Sequence, residues 1–174
     1  TAIHHTGAKP ILADCQADHL INPNSIVKLI TSKTKAIMPV QLNGRTANMD
    51  AISKIATEHN LIIIEDSCQA LGSKYKNKFA GTFGLTGTFS FFPAKTLGCF
   101  GDGGAVVTNN DEVANKIRMI RDHGRDPIDG KVKIFGFNSR LDNLQAAVLG
   151  LKLKYYDEDI DRRRQIAMIY HTHL

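Results

Sequence analysis

Short apolar runs alternate with amphipathic segments through most of this chain, and that alternation is its strongest constraint on fold. "KAIMPV" (35–40), "LIIIED" (61–66), "GTFSFF" (87–92) and "GAVVTN" (104–109) have the length and β-branched or aromatic content of strands. "PILAD" (10–14) reads as a further short strand. Between them lie segments with helical spacing. "NPNSIVKLIT" has Asn22 as N-cap, Pro23 at the first helical position, and Ile26, Leu29 and Ile30 on one face. In "NMDAISKIATEHN" (48–60), Met49, Ile52, Ile55 and Ala56 share a face. "DEVANKIRMIRDHG" (111–124) is a helix closed by Gly124, and a long helical region runs from Asn143 to the end. Strands separated by helices predict βαβ units, hence an α/β fold with a mostly parallel sheet flanked by helices. No internal repeat or low-complexity segment interrupts the pattern.

Composition narrows the function classes. The chain has 174 residues and a net charge of 22 − 17 = +5. No stripe of Lys or Arg interleaved with aromatics is present, so no nucleic-acid partner is expected. The basic "DRRRQ" follows the acidic "DEDID", with Glu158–Arg162 and Asp159–Arg163 at ion-pairing spacing on a solvated helix face. Cys15, Cys68 and Cys99 are odd in number and have no disulfide-framework spacing, which predicts reduced thiols in a cytoplasmic protein. No apolar run approaches the ~18 residues of a membrane span. His4-His5 and His171/His173 have no Cys, Asp or Glu with them at zinc-like spacing, so no metal site is expected.

Three residues could carry chemistry. In open α/β sheets ligands bind beyond the carboxyl ends of strands. Asp66 ends "LIIIED", and the segment bearing Ser90 and Lys95 ends another strand. A desolvated lysine gives up its charge readily and can form a Schiff base with an aldehyde. A lysine with an aspartate facing a pyridinium nitrogen is the minimal pyridoxal-phosphate constellation. The Ser90 hydroxyl could bind the cofactor phosphate. Each residue also has a plain structural reading. Asp66 could cap "SCQALG", Lys95 could snorkel to the surface, and Ser90 could be the polar face of a half-buried strand. The glycines of "GCFGDGG" precede a strand rather than open a helix, which excludes a dinucleotide-binding fingerprint. They are expected to form a turn with positive φ close to the lysine.

Taken in order, "EDSCQALGSKYKNKFAGTFG", "TFSFFPAKTLGCFGDGGAVVTNNDE", "IRMIRDHGRD" and "GFNSRLDNLQAAVLGLKL" resemble the DegT/StrS-type sugar aminotransferases, which are fold-type I pyridoxal-phosphate enzymes. "GAKPILADC" and "TKAIMPVQLNGRTANMDAI" extend the resemblance over nearly the whole chain. The resemblance implies an α/β/α large domain and assigns roles by position. Lys95 would be the Schiff-base lysine and acid–base catalyst. Asp66 would bind the pyridine nitrogen, Gln69 would lie by the ring and its phenolic oxygen, and Ser90 would bind the phosphate. Asn138 would reach the phosphate of the neighbouring subunit's cofactor, in a homodimer with shared sites. Arg140 could pair with a substrate carboxylate or phosphate, or equally form a structural salt bridge.

The implied reaction moves an amino group from a donor, L-glutamate, to a nucleotide-linked keto-sugar, a step of amino-sugar and polysaccharide biosynthesis. The family's first phosphate-binding turn and stacking aromatic are expected before Thr1, and its small domain after Leu174. Residues 1–174 are thus expected to be the central part of the large domain, inactive alone. Three alternatives stay open. Sugar dehydratases of this family carry His in place of the lysine. Other fold-type I enzymes, such as cysteine desulfurases, share the cofactor. A regulatory or truncated homologue would have lost catalysis.

Overall fold

The computed structural model describes residues 1–174, which divide into two compact units, Thr1–Gly87 and Thr88–Leu174. The first contains α1 (Ala2–His5), α2 (Pro23–Leu29), β1 (Ala36–Ile37), a 3-10 turn at Leu42–Gly44, α3 (Met49–Glu58), β2 (Ile62–Asp66) and the hairpin strands β3 (Lys74–Tyr75) and β4 (Lys78–Phe79). β1 and β2 run parallel, with Ala36 beside Ile62 and Ile37 beside Ile63, and α3 is the crossover between them. This is the βαβ unit that the sequence pattern predicts.

The core of this unit follows from helix periodicity. α3 buries Met49, Ile52, Ile55 and Ala56, the four residues expected on its inner face. They pack with Leu20, Ile26, Ile37, Ala47 and Ile63. Asn48 caps α3 by accepting the Ala51 N–H at 3.1 Å, and the same oxygen accepts the Tyr75 hydroxyl at 3.1 Å. Asn22 caps α2 through the Asn24 N–H as predicted, but of its expected inner face only Ile26 is fully buried.

Two strand expectations need correction. "PILAD" is not a strand. Ile11 and Leu12 are exposed, and Asp14 turns the chain back, donating its N–H to Ser25 Oγ and accepting that of Asn22. The chain there has only an isolated bridge between Cys15 and Ile21. "KAIMPV" pairs only at Ala36–Ile37, because Pro39 has no N–H to continue the ladder; a single bridge resumes at Val40–Asp66. The β3–β4 hairpin, with no Asn-Gly signal, turns through positive φ at Lys76 and Asn77.

β5 (Thr86–Ser90) begins at the end of the first unit and continues into the second. There it neighbours β6 (Gly104–Val107), and α4 (Asp111–Ile120), α5 (Asn143–Lys152), a 3-10 turn at Leu153–Tyr155 and α6 (Tyr156–His173) follow. α4 stops at Ile120, short of the expected Gly124. His123 and Gly124 take positive φ, and the Gly124 N–H returns to Met119 O at 2.9 Å. The chain then doubles back, with His123 donating to Phe137 O at 2.8 Å and Phe137 to Ile120 O at 2.7 Å. The long terminal helical region is present but broken by the 3-10 turn. On α6 the expected Glu158–Arg162 and Asp159–Arg163 pairs do not form. Arg164 pairs with Asp161 at 3.0 Å and Arg162 turns to Gln165, because exposed partners gain little from any one pairing. No helix is long and apolar enough to cross a membrane.

Candidate active site

β2 ends in two acids, and strand alternation sends them to opposite faces. Glu65 points inward and is fully buried. Its carboxylate accepts from Gln41 Nε2 at 2.9 Å and from the backbone N–H groups of Gly81 (2.8 Å), Phe83 (2.6 Å) and Gly84 (3.0 Å). Gln41, also fully buried, uses its oxygen on the Ala47 N–H at 2.7 Å. Neither residue stands out in a motif reading, although period-two alternation at "IIIED" already requires one acid to face the core.

Asp66 lies half-exposed on the other face. Its backbone continues the register with β1, donating to Pro39 O and accepting from Gln41 N–H. One carboxylate oxygen accepts the Cys68 N–H at 3.1 Å, which is the capping role weighed from sequence. The second oxygen stays available. Ser67 follows, fully buried, and its hydroxyl has no hydrogen-bond partner. Gln69 is exposed and accepts the Asn43 N–H through Oε1 at 3.1 Å, leaving its NH2 as a free donor.

In the second unit, Ser90 ends β5 and its Oγ accepts the Phe92 N–H at 3.3 Å. Lys95 follows in a tight loop, its N–H bonded to Phe92 O at 2.9 Å, its side chain half-buried and without a carboxylate partner. The glycines after it are not the positive-φ turn expected from sequence, since none of Gly98, Gly101, Gly103 or Gly104 has positive φ. They serve close approach instead. A Cβ on Gly98 would lie 2.6 Å from Pro93 O, and one on Gly103 would lie 2.8 Å from Cys99 Sγ. Asn138 is exposed on the doubled-back segment, bridged to Asp122 through its backbone. Arg140 forms an ion pair with Asp122 at 3.5 Å, the structural alternative weighed for it. Cys15, Cys68 and Cys99 form no disulfide.

Taken unit by unit, the chemistry of these residues suits a pyridoxal-phosphate-type group. Such a group needs a carboxylate for its ring nitrogen, hydroxyl and amide donors for its oxygens, and an amine for its aldehyde. Asp66 has an unengaged oxygen, the Ser67 hydroxyl is orphaned beside it, and the Lys95 amine is uncommitted.

The α/β framework with a parallel-dominated sheet and a long terminal helix is that of the fold-type I aminotransferases. The chain belongs to the DegT/DnrJ/EryC1/StrS aminotransferase family, with the match running over residues 1–174. It is 45% identical over 170 residues to the pleiotropic regulatory protein of Geobacillus stearothermophilus, covering 97% of this chain and 45% of that protein. It is 43% identical over 171 residues to the dTDP-3-amino-3,4,6-trideoxy-alpha-D-glucose transaminase of Streptomyces venezuelae, covering 97% and 45%. Among solved structures, a DegT DnrJ EryC1 StrS aminotransferase from Brucella abortus superposes with a TM-score of 0.90 at 38% identity, over 98% of this chain and 48% of that one. NtdA of Bacillus subtilis, solved with bound cofactor PMP, gives 0.80 at 39% identity, over 89% and 35%. The chain therefore spans just under half the length of the curated relatives it matches.

Proposed function

We propose that the full-length protein is a pyridoxal-phosphate-dependent aminotransferase that converts a nucleotide-linked keto-sugar into an amino-sugar, with L-glutamate as amino donor. One observation carries this reading. Lys95 lies in "FSFFPAKTLGCFGDGG", the stretch that most resembles the family's Schiff-base segment, half-buried with its amine unpaired. A dehydratase of the same family would have histidine there.

When bound, the cofactor supplies an electron sink that makes the donor's α-proton acidic. The chain's residues do the rest. Lys95 Nζ would hold the group's aldehyde and, once freed by the donor amine, would accept the donor's α-proton and pass it to the cofactor side. Asp66 would keep the ring nitrogen protonated through its free oxygen. Gln69 would donate from its NH2 to the ring oxygen, and Ser90 would donate its hydroxyl hydrogen to the phosphate. Asn138 would give its amide to the phosphate held by a partner subunit. Arg140, released from Asp122, can meet a carboxylate or phosphate. Exposed Phe135 and Phe137 flank the Asn138 segment and support a homodimeric interface there. Three cysteines outside any disulfide support a cytoplasmic setting. The amino-sugar product fits polysaccharide biosynthesis.

The name of the Geobacillus relative favours a second reading, a regulatory protein that keeps the fold. Incubating the full-length protein with L-glutamate and a panel of nucleotide keto-sugars separates the two. Release of 2-oxoglutarate with at least one sugar is expected. No release with any sugar supports the regulatory reading.

A further inference from the structure

The loop that carries Lys95 does not hold itself up. Its base is closed by Phe91 N–H to Gly103 O at 2.7 Å and Cys99 N–H to Phe91 O at 2.8 Å. Gly98 packs against Phe92 O and Pro93 O with no space for a side chain, so the two ends of the 92–98 segment are held in contact. That leaves three backbone groups on the outgoing side, Gly98 O, Phe100 N–H and Gly101 N–H, without partners inside the loop. For the part-buried pair, Gly98 O and Gly101 N–H, an orphan of this kind costs about 1–3 kcal/mol, while Phe100 N–H is exposed. α5 supplies the partners. Gln145 Oε1 accepts from Phe100 N–H at 2.8 Å and from Gly101 N–H at 3.3 Å. Lys152 Nζ donates to Gly98 O at 2.6 Å. Positions 145 and 152 are two turns apart on one helix face, and Leu149 between them is buried.

We infer that Gln145 and Lys152 are positioning residues that clamp the outgoing side of the Lys95 loop and thereby fix where the Lys95 amine stands. This rests on the proposed role of Lys95. Because the two ends of the 92–98 segment are held in contact, a shift at Gly98–Gly101 is passed to Lys95 rather than absorbed. Gln145 acts only as an acceptor and Lys152 only as a donor, so the side-chain chemistry that must be kept is defined. Glutamate at 145 and arginine at 152 keep it, whereas methionine at either removes it with little change of volume.

The test uses the full-length protein as wild type and as Gln145→Met, Gln145→Glu, Lys152→Met and Lys152→Arg. In the cofactor-free form, amide exchange at Phe100 and Gly101 is expected to quicken about tenfold in Gln145→Met and to stay near wild type in Gln145→Glu. In the half-reaction with L-glutamate, both methionine variants are expected to lose about tenfold to a hundredfold in kcat with little change in KM. The glutamate and arginine variants are expected to recover most of that loss. Wild-type exchange and kcat in the methionine variants would overturn the inference, as would an equal loss in the conservative variants. If wild type shows no half-reaction, the role of Lys95 fails, and the exchange rates alone decide whether the clamp exists.

Discussion

At the scale of the residue, the adjacent acids Glu65 and Asp66 show how one position in a strand separates structure from chemistry. Glu65 joins β2 to the 81–84 segment by accepting three backbone N–H groups and the Gln41 amide. Glu65→Gln puts a donor where only acceptors fit, and it is expected to destabilise the protein by roughly 3 kcal/mol, read as a drop in denaturant midpoint at constant m-value. Asp66 is not needed for that joint, which leaves it free for the cofactor role proposed above. Charge pairs on the surface behave differently. Lys133 beside Asp126 holds its carboxyl below the ordinary carboxylate range, helped by the Ile128 N–H, and Asp126 and Asp129 together raise the Lys133 amine. A carboxyl depressed in the folded state adds stability above the unfolded value and loses it as pH falls through the folded one. A raised lysine adds stability below its unfolded value and loses it as pH rises through the folded one. The pair therefore acts between about pH 4 and pH 10. Asp126→Asn should lower the denaturant midpoint within that window and converge with wild type below it, with the gap shrinking in high salt.

Among elements, the segment after α4 shows what a turn costs when the wrong residue occupies it. Gly124 has φ +81°, and a Cβ there would lie 1.8 Å from Ile134 O. Gly124→Ala should destabilise by at least about 1–3 kcal/mol and loosen residues 121–139, the segment that presents Asn138, seen as faster amide exchange there. The sequence pointed to α3 with its inner face residue by residue, because capping and 3.6-residue periodicity are local physics, whereas the stop expected at Gly124 lies four residues beyond the end of α4. The failures came where a local signal competed with something distant. "PILAD" looks like a strand, but Asp14 takes part in a turn with Asn22 and Ser25. The glycines after Lys95 looked like positive-φ turn formers, but what demands glycine there is a carbonyl or sulfur across the loop, which no local pattern reveals. Gln145 and Lys152 read as ordinary helix residues until α5 is seen against the loop.

For the whole molecule, family membership rests on a match along all 174 residues, while the activity is proposed for a full-length protein roughly twice this length, judging by its relatives. Of the proposed site residues, Asp66, Ser90 and Lys95 could be singled out by residue type at strand ends, whereas Gln69, Asn138 and Arg140 came only with the family resemblance. Their roles depend on a single covalent attachment. The most direct measurement is to incubate the full-length protein with pyridoxal phosphate, reduce with borohydride, and map the modified peptide by mass spectrometry beside Lys95→Ala. The account predicts one phosphopyridoxyl group on Lys95 and none in the variant at matched folding. A label on another lysine, or no label on the folded wild-type protein, would contradict it.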